Sequence, residues 1–182
     1  NFHRFMGGGG SKCMFPYKNG KPFNGIFDYL TKAYGGNPQT TGHVEVSSSG
    51  TSVRSVSKIE DVISERNTGE WASNNESNSW IEFNFKDHKL LLTAYTIQTF
   101  GGDVGNMHMK SWKLESSEDG YNWTMLDQVS ECNEINRPNA ILTRPITMTG
   151  SKNIFRITMT DKNYFGTYTM CLKRIEFFGN IS

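Results

Sequence analysis

SWKLESSEDGYNWTMLD, residues 111–127, decides the fold. Trp112 and Leu114 stand two apart, so an extended chain places them on one face of a strand. Asp119 followed by Gly120 is a hairpin turn signal. Trp123 comes just after the turn, and the expectation is that Trp112 and Trp123 meet across the hairpin and fill a core.

The same pattern continues in both directions. Upstream, WIEFNF (80–85) alternates Trp80, Glu82 and Asn84 with Ile81, Phe83 and Phe85, and Trp80 is expected to be largely buried along with Trp112 and Trp123. LLTAYTIQTF (91–100) follows, and then the glycine loop GGDVGN (101–106). Downstream, TMLDQVS (124–130), NAILTRPITM (139–148), NIFRITMT (153–160) and TMCLKRIEFFG (169–179) complete the set. Phe155, Ile157 and Met159 alternate, as do Ile175 and Phe177. Arg156 falls between core positions and is expected on the opposite face beside a carboxylate. Strands at this spacing, separated by turn residues, indicate a sandwich or a barrel.

Nearer the start, Phe23, Ile26, Phe27, Leu30 and Tyr34 recur at three- and four-residue steps. This predicts a short helix over 24–34, with Asn24 as its cap and Gly35 and Gly36 at its end. HVEV (43–46) reads as a strand, and KIEDVIS (58–64) as a helical turn before the polar loop ERNTGEWASNNESNS (65–79). No internal repeat is present. The predicted fold is all-β: an antiparallel β-sandwich with a short N-terminal helix.

Composition narrows the function. Apolar residues make up 36% and aromatics 13%, which suits a thin, ring-filled β core better than a helical bundle. The net charge is +1, and no basic block could neutralise a row of phosphates, which argues against nucleic acid as a partner. No stretch approaches the ~20 apolar residues that cross a bilayer, and residues 1–15 lack the apolar core of a signal peptide. Three cysteines, Cys13, Cys132 and Cys171, do not make a disulfide framework and point to a reducing compartment. Sequons at Asn75, Asn122 and Asn180 are read as chance in a chain rich in Asn, Ser and Thr.

Residues 7–11 read GGGGS, the usual flexible linker of protein engineering, and residues 1–6 read NFHRFM. The division expected is therefore 1–11, a grafted peptide or tag with its linker, and 12–182, the domain proper.

NSWIEFNF, YTIQTF, SWKLESSEDGYNWTMLD, NIFRITMT and LKRIEFFG stand in an order and spacing that resembles discoidin domains. That is the fold of the coagulation factor V and VIII C domains, a galactose-binding-like jelly roll, and the likeness covers residues 80–179. FPYKNGKPFNGIFDYLTKAYGGN resembles the region preceding this domain in intracellular protist and BTB-associated members. Secreted discoidin domains join a cysteine at each end. Cys13 and Cys171 do not match that spacing, and a cytoplasmic protein is expected; Cys171, between Met170 and Leu172 in a strand near the end, is expected to be a buried free thiol.

The resemblance also implies ligand contacts through loops at one end of the sandwich. By position these are 65–79, with Trp71, Asn74, Asn75 and Glu76; 100–110, with Asp103, Asn106, Met107, His108 and Met109; and 161–168, with Lys162, Asn163, Tyr164, Phe165 and Tyr168. Trp71, Met107, Met109 and Phe165 are large apolar side chains in polar loops. They either cover the sandwich end or line an apolar, methionine-walled pocket.

No G-x-S-x-G, H-E-x-x-H or phosphate-binding glycine loop is present, so no enzyme is expected. His3, His43, His88 and His108 are scattered and the cysteines lack C-x-x-C spacing, so neither metal nor cofactor is expected. The function expected is a binding module for a short peptide of a partner protein, with Phe2, His3, Arg4 and Phe5 acting as a tethered ligand. In that reading Phe2 and Phe5 enter apolar pockets and Arg4 pairs with Glu70, Glu76 or Asp103. Carbohydrate binding is the alternative, served by stacking aromatics beside Asn and Asp. Phospholipid binding comes third, weakened by the absence of a Lys/Arg ring.

Overall fold

A computed structural model describes residues 4–5, 12–67, 69–102 and 107–182, residues 4 and 5 through their backbone alone. Among these the first strands are β1 (Arg4–Phe5), β2 (Lys12–Phe15), β3 (Glu45–Ser48), β4 (Trp71–Ala72), β5 (Trp80–Asn84) and β6 (Leu90–Gln98). They are followed by β7 (Trp112–Ser117), β8 (Thr124–Val129), β9 (Ile141–Pro145), β10 (Ile154–Met159), β11 (Cys171–Leu172) and β12 (Arg174–Ile181). Helix α1 (Ile26–Tyr34) precedes β3, and a 3-10 turn, Ile59–Ile63, follows it.

The strands form two five-stranded sheets, β1-β2-β12-β6-β9 and β3-β5-β10-β7-β8, and a short β11-β4 pair. All the pairings are antiparallel. This is the antiparallel sandwich that the alternation predicted, with its short N-terminal helix.

The parity of each strand sets the core. Ile81 and Phe83 of β5, Trp112 and Leu114 of β7, and Phe155 and Ile157 of β10 are fully buried. They face Tyr95 and Ile97 of β6 and Ile175 and Phe177 of β12, which are buried as well. Phe27 of α1 reaches between the sheets, its ring 5.2 Å from Phe177 and 5.5 Å from both Phe83 and Phe85. Such ring pairs add about 0.5–1.5 kcal/mol each beyond their area.

One polar network ties the sheets at their β8 and β9 edges. Arg144 of β9 donates from Nε and Nη2 to the two oxygens of Asp127 on β8, at 2.6 and 3.0 Å. The Tyr95 hydroxyl donates to Asp127 Oδ2 at 2.7 Å and accepts from Trp112 Nε1 at 2.9 Å. Trp112 is thus both a core ring and the inner end of this chain.

The tryptophans divide differently from the expectation. Trp112 is fully buried, but Trp80 and Trp123 are half-buried on the outer face of the β5–β10–β7 sheet. They hold the Arg156 guanidinium between them, 4.0 Å from the Trp80 ring and 4.6 Å from the Trp123 ring. Arg156 also donates twice to Glu82 Oε1, at 3.0 and 2.8 Å, which supplies the expected carboxylate. Trp123 therefore stacks on a cation and does not meet Trp112 in the core.

The helix cap also differs. The residue before α1 is Gly25, with no side-chain cap of its own. The carboxylate of Glu176, on β12, accepts from the N–H groups of Gly25, Phe27, Asp28 and Phe177 at 2.8–3.1 Å. A Cβ at position 25 would lie 2.2 Å from Phe177 O, so β12 and the helix approach this closely only over glycine. The helix ends at Gly35 in the left-handed conformation, as its sequence predicted.

Cys13, Cys132 and Cys171 are all free thiols. Cys171 is buried, and burial pushes its thiol up to about 12. The histidines are not all scattered: folding brings His43 Nδ1 to 3.2 Å from His88 Nε2.

Candidate binding site

The register assigns the two ends of the sandwich. At one, Leu90 pairs with Ile181 and Cys13 pairs with Ile181. At the other, Gln98 pairs with both Arg174 and Ile141. The nine residues of β6 separate these ends by about 27 Å. The loops 49–79, 99–111, 130–140 and 160–170 gather at the Gln98 end, while β2 lies at the Leu90 end.

Three of the expected loops therefore do converge, and a fourth, 130–140, joins them. The loop 161–168 is the best built. Asn163 is 3% exposed and works as its internal brace. Its Oδ1 accepts from the N–H groups of Phe165 and Thr167, and its Nδ2 donates to Thr167 Oγ1 and Thr169 O. Asn75 Oδ1 accepts from the N–H of Tyr168 at 2.8 Å, binding this loop to 65–79. Tyr164 N–H donates to His108 O, and its hydroxyl is shared between Cys132 O and Asn133 Oδ1. Burial raises the Tyr164 phenol, which keeps it a donor.

On this braced loop the Phe165 ring stands 58% exposed. Tyr164 and Tyr168 flank it, half-buried. The Lys110 ammonium lies 5.4 Å from the Tyr164 ring centre, and the Lys162 ammonium 5.7 Å from that of Tyr168. Asn75 and Glu76 are exposed nearby on loop 65–79. The arrangement offers an exposed ring for stacking, with amide, carboxylate and ammonium groups around it for hydrogen bonds.

Other expected contacts are placed inside. Trp71 is fully buried and donates from Nε1 to Thr51 Oγ1 at 2.9 Å, so it supports its loop from below and offers no surface to a ligand. Met109 is buried in the core. His108 is 2% exposed, with Nδ1 3.3 Å from Asn136 Oδ1 and its ring 5.1 Å from that of Phe100. Met107 and Asn74 are half-buried, and Asn74 accepts the Ser73 and Ser79 hydroxyls on its backbone oxygen. Of the apolar quartet, Trp71 and Met109 fold back over the sandwich end, while Phe165 faces outward.

Asp103 and Asn106 lie outside the described residues, as do Phe2, His3 and the GGGGS segment. Arg4 and Phe5 are described by their backbone, which pairs with Cys13 and Lys12 of β2. That is the end of the sandwich opposite the loops. The Arg4 side chain, expected to pair with Glu70, Glu76 or Asp103, lies outside what the structure describes.

Sequence reasoning missed the loop 130–140 and the bracing role of Asn163. The polar run ECNEINRPN between two strands was the available signal for the first. The second follows from the Asx-turn habit of Asn before glycine-containing turns.

A two-sheet antiparallel sandwich with its loops braced at one end, and a short helix against one sheet, defines a discoidin-type domain, the class of binding sandwich its sequence resembled. The chain belongs to the F5/8 type C domain family, whose model matches residues 43–173. It is similar in structure to CpGH89CBM32-5 from Clostridium perfringens in complex with GalNAc-β-1,3-galactose. That likeness has a TM-score of 0.62 at 13% identity and covers 78% of this chain and 98% of the other. It is similar too to the family 32 CBM of C. perfringens NanJ in complex with galactose. Here the TM-score is 0.56 at 12% identity, with 80% and 97% covered. The lectin domain of lectinolysin complexed with Lewis B antigen matches with a TM-score of 0.57 at 14% identity, 74% and 91% covered. In sequence, the E3 ubiquitin-protein ligase Ufd4 of Drosophila melanogaster is 25% identical over 151 residues, 80% of this chain. The chain spans 6% of the length of that relative. No helix among the described residues is long and apolar enough to cross a membrane.

Proposed function

We propose that this domain is a non-catalytic carbohydrate-binding module whose ligand lies against the loop end. The observation that carries this reading is the Phe165 ring, 58% exposed on a loop whose backbone is fixed by Asn163 and Asn75. A ring held rigidly in water loses little conformational freedom when it stacks on the apolar face of a sugar. Asn75, Glu76 and Lys162 provide the hydrogen-bonding groups that sugar hydroxyls need. The structural neighbours seen with galactose, GalNAc-β-1,3-galactose and Lewis B antigen support the same choice of ligand class. The sequence alternative is thus preferred over the peptide expected first. A cytoplasmic setting stays part of the proposal, supported by three free thiols.

The test is a glycan array followed by calorimetry on the best ligand. Phe165→Ala is expected to weaken binding at least about tenfold with an unchanged melting temperature. An array with no sugar bound, or full affinity in the variant, contradicts the reading.

A second reading has its own observation. The backbone of Arg4–Phe5 adds to the free edge of β2 as an antiparallel strand, the way an extended peptide adds to a sheet. Peptide capture by this edge is the form that the partner-protein expectation takes here, and the likeness to a stretch of a ubiquitin ligase is compatible with it.

A further inference from the structure

We propose that His43 and His88 together form a binding site for one late transition-metal dication, of the Zn2+, Cu2+ or Ni2+ class. It is independent of the carbohydrate reading and lies on other elements. His43 stands in the turn between α1 and β3, where its N–H donates to Pro38 O at 2.8 Å. The Tyr34 ring stacks on its imidazole at 3.6 Å with 20° between the planes. His88 stands in the turn between β5 and β6, its N–H bonded to Phe85 O at 3.0 Å. These two turns, 45 residues apart, bring His43 Nδ1 and His88 Nε2 to 3.2 Å.

That separation has a chemical meaning. Two imidazole nitrogens on one tetrahedral ion, each at about 2.05 Å, stand about 3.3 Å apart. The chain thus already holds the pair at bite distance, and a swing of two half-buried rings aims both lone pairs at one point. Imidazole nitrogen selects Zn2+, Cu2+ and Ni2+ over Ca2+ and Mg2+, which take oxygen. Among the described residues no group of three His, Cys, Asp or Glu surrounds a single point, so the site is a two-histidine chelate completed by water. Without the ion, one ring donates N–H to the other; with it, that proton shifts to the other nitrogen of its own ring and the metal takes its place.

Titration calorimetry of the whole chain with ZnCl2 at pH 7.5 tests this. One saturable site is expected, absent with CaCl2, and weakened at least about tenfold in both His43→Gln and His88→Gln. Added Cu2+ is expected to broaden the ring signals of His43 and His88 before those of His108, and acidification below the imidazole range is expected to release the metal. The two variants sit in different turns, so misfolding of one leaves the other to report, with the melting temperature as the check. No saturable Zn2+ binding up to 1 mM, on the order of the weakest useful affinity, overturns the proposal. So does equal binding in both folded variants, or equal affinity for Ca2+.

Discussion

At the scale of single residues, Asp127 shows how much chemistry one side chain carries in this core. It lies on an edge strand, yet it holds Arg144 of the other sheet and the hydroxyl of Tyr95. Burial opposes its charge, but the Arg144 and Tyr95 hydrogen bonds outweigh that and draw the carboxyl below its ordinary value. The folded state therefore binds the Asp127 proton less tightly than the unfolded chain. Its contribution is complete above about pH 4 and is lost as pH falls towards the lowered value. Acid melts of Asp127→Asn are expected to lack the part of the stability slope below pH ~4 that the parent shows. Trp112, at the inner end of the same chain, combines a fully buried ring with a donated hydrogen bond. Trp112→Ala is expected to cost roughly 3–5 kcal/mol by chemical denaturation. A loss under about 1 kcal/mol would show that the cavity collapses and the network is dispensable.

At the scale of elements, α1 is held by a residue far from it in sequence. Glu176 accepts three backbone N–H groups at the helix start and that of Phe177 beside it, and it does so from inside β12. Burial lifts its carboxyl to about 7, against the pull of those donors. The native state then holds this proton more tightly than the unfolded chain. The group's contribution falls as pH rises from the ordinary carboxylate range to about 7. Glu176→Ala is expected to destabilise by at least about 2 kcal/mol and to remove protection from amide exchange first in α1. Unchanged exchange there would mean that packing of Phe27 alone secures the helix.

The elements also show what the sequence made legible. Alternation placed β5, β7, β10 and β12 and assigned their faces, because a half-buried strand must repeat every two residues. It even contained the outward position of Trp80, which shares parity with Glu82 and Asn84. Ring size suggested core, and parity was the better guide. For Trp123 parity failed, because a register shift at Leu114/Glu115 breaks the count across the hairpin. The two-residue strands β4 and β11 carry too little pattern to read. The Glu176 cap and the His43–His88 contact are products of tertiary folding with no local signal. Within the candidate site the loops were legible as polar breaks between strands. The inward turn of Trp71 and Met109 was not, because loop side chains obey no period.

At the scale of the whole molecule, the loop cluster and the edge strand β2 stand at opposite ends of the sandwich. The loops gather at the Gln98 end, while β2 and Arg4–Phe5 lie at the Leu90 end, about 27 Å away. Five residues such as 7–11 span at most about 17 Å when fully extended, which is less than that distance. Free NFHRFM peptide added to a chain lacking residues 1–11 is expected to perturb amides of β2 and leave the loop end unchanged. Perturbation of Tyr164 to Tyr168 by the peptide would move the peptide site to the loops. The central claim, that a sugar sits on the Phe165 platform, is tested most directly by mapping amide shifts during titration with galactose and N-acetylgalactosamine. The account predicts saturable shifts at Asn75, Lys162, Tyr164, Phe165 and Tyr168 that vanish in Phe165→Ala. Saturable shifts confined to β2, or no shifts at tens of millimolar sugar, on the order of the weakest lectin-like affinity, would contradict it.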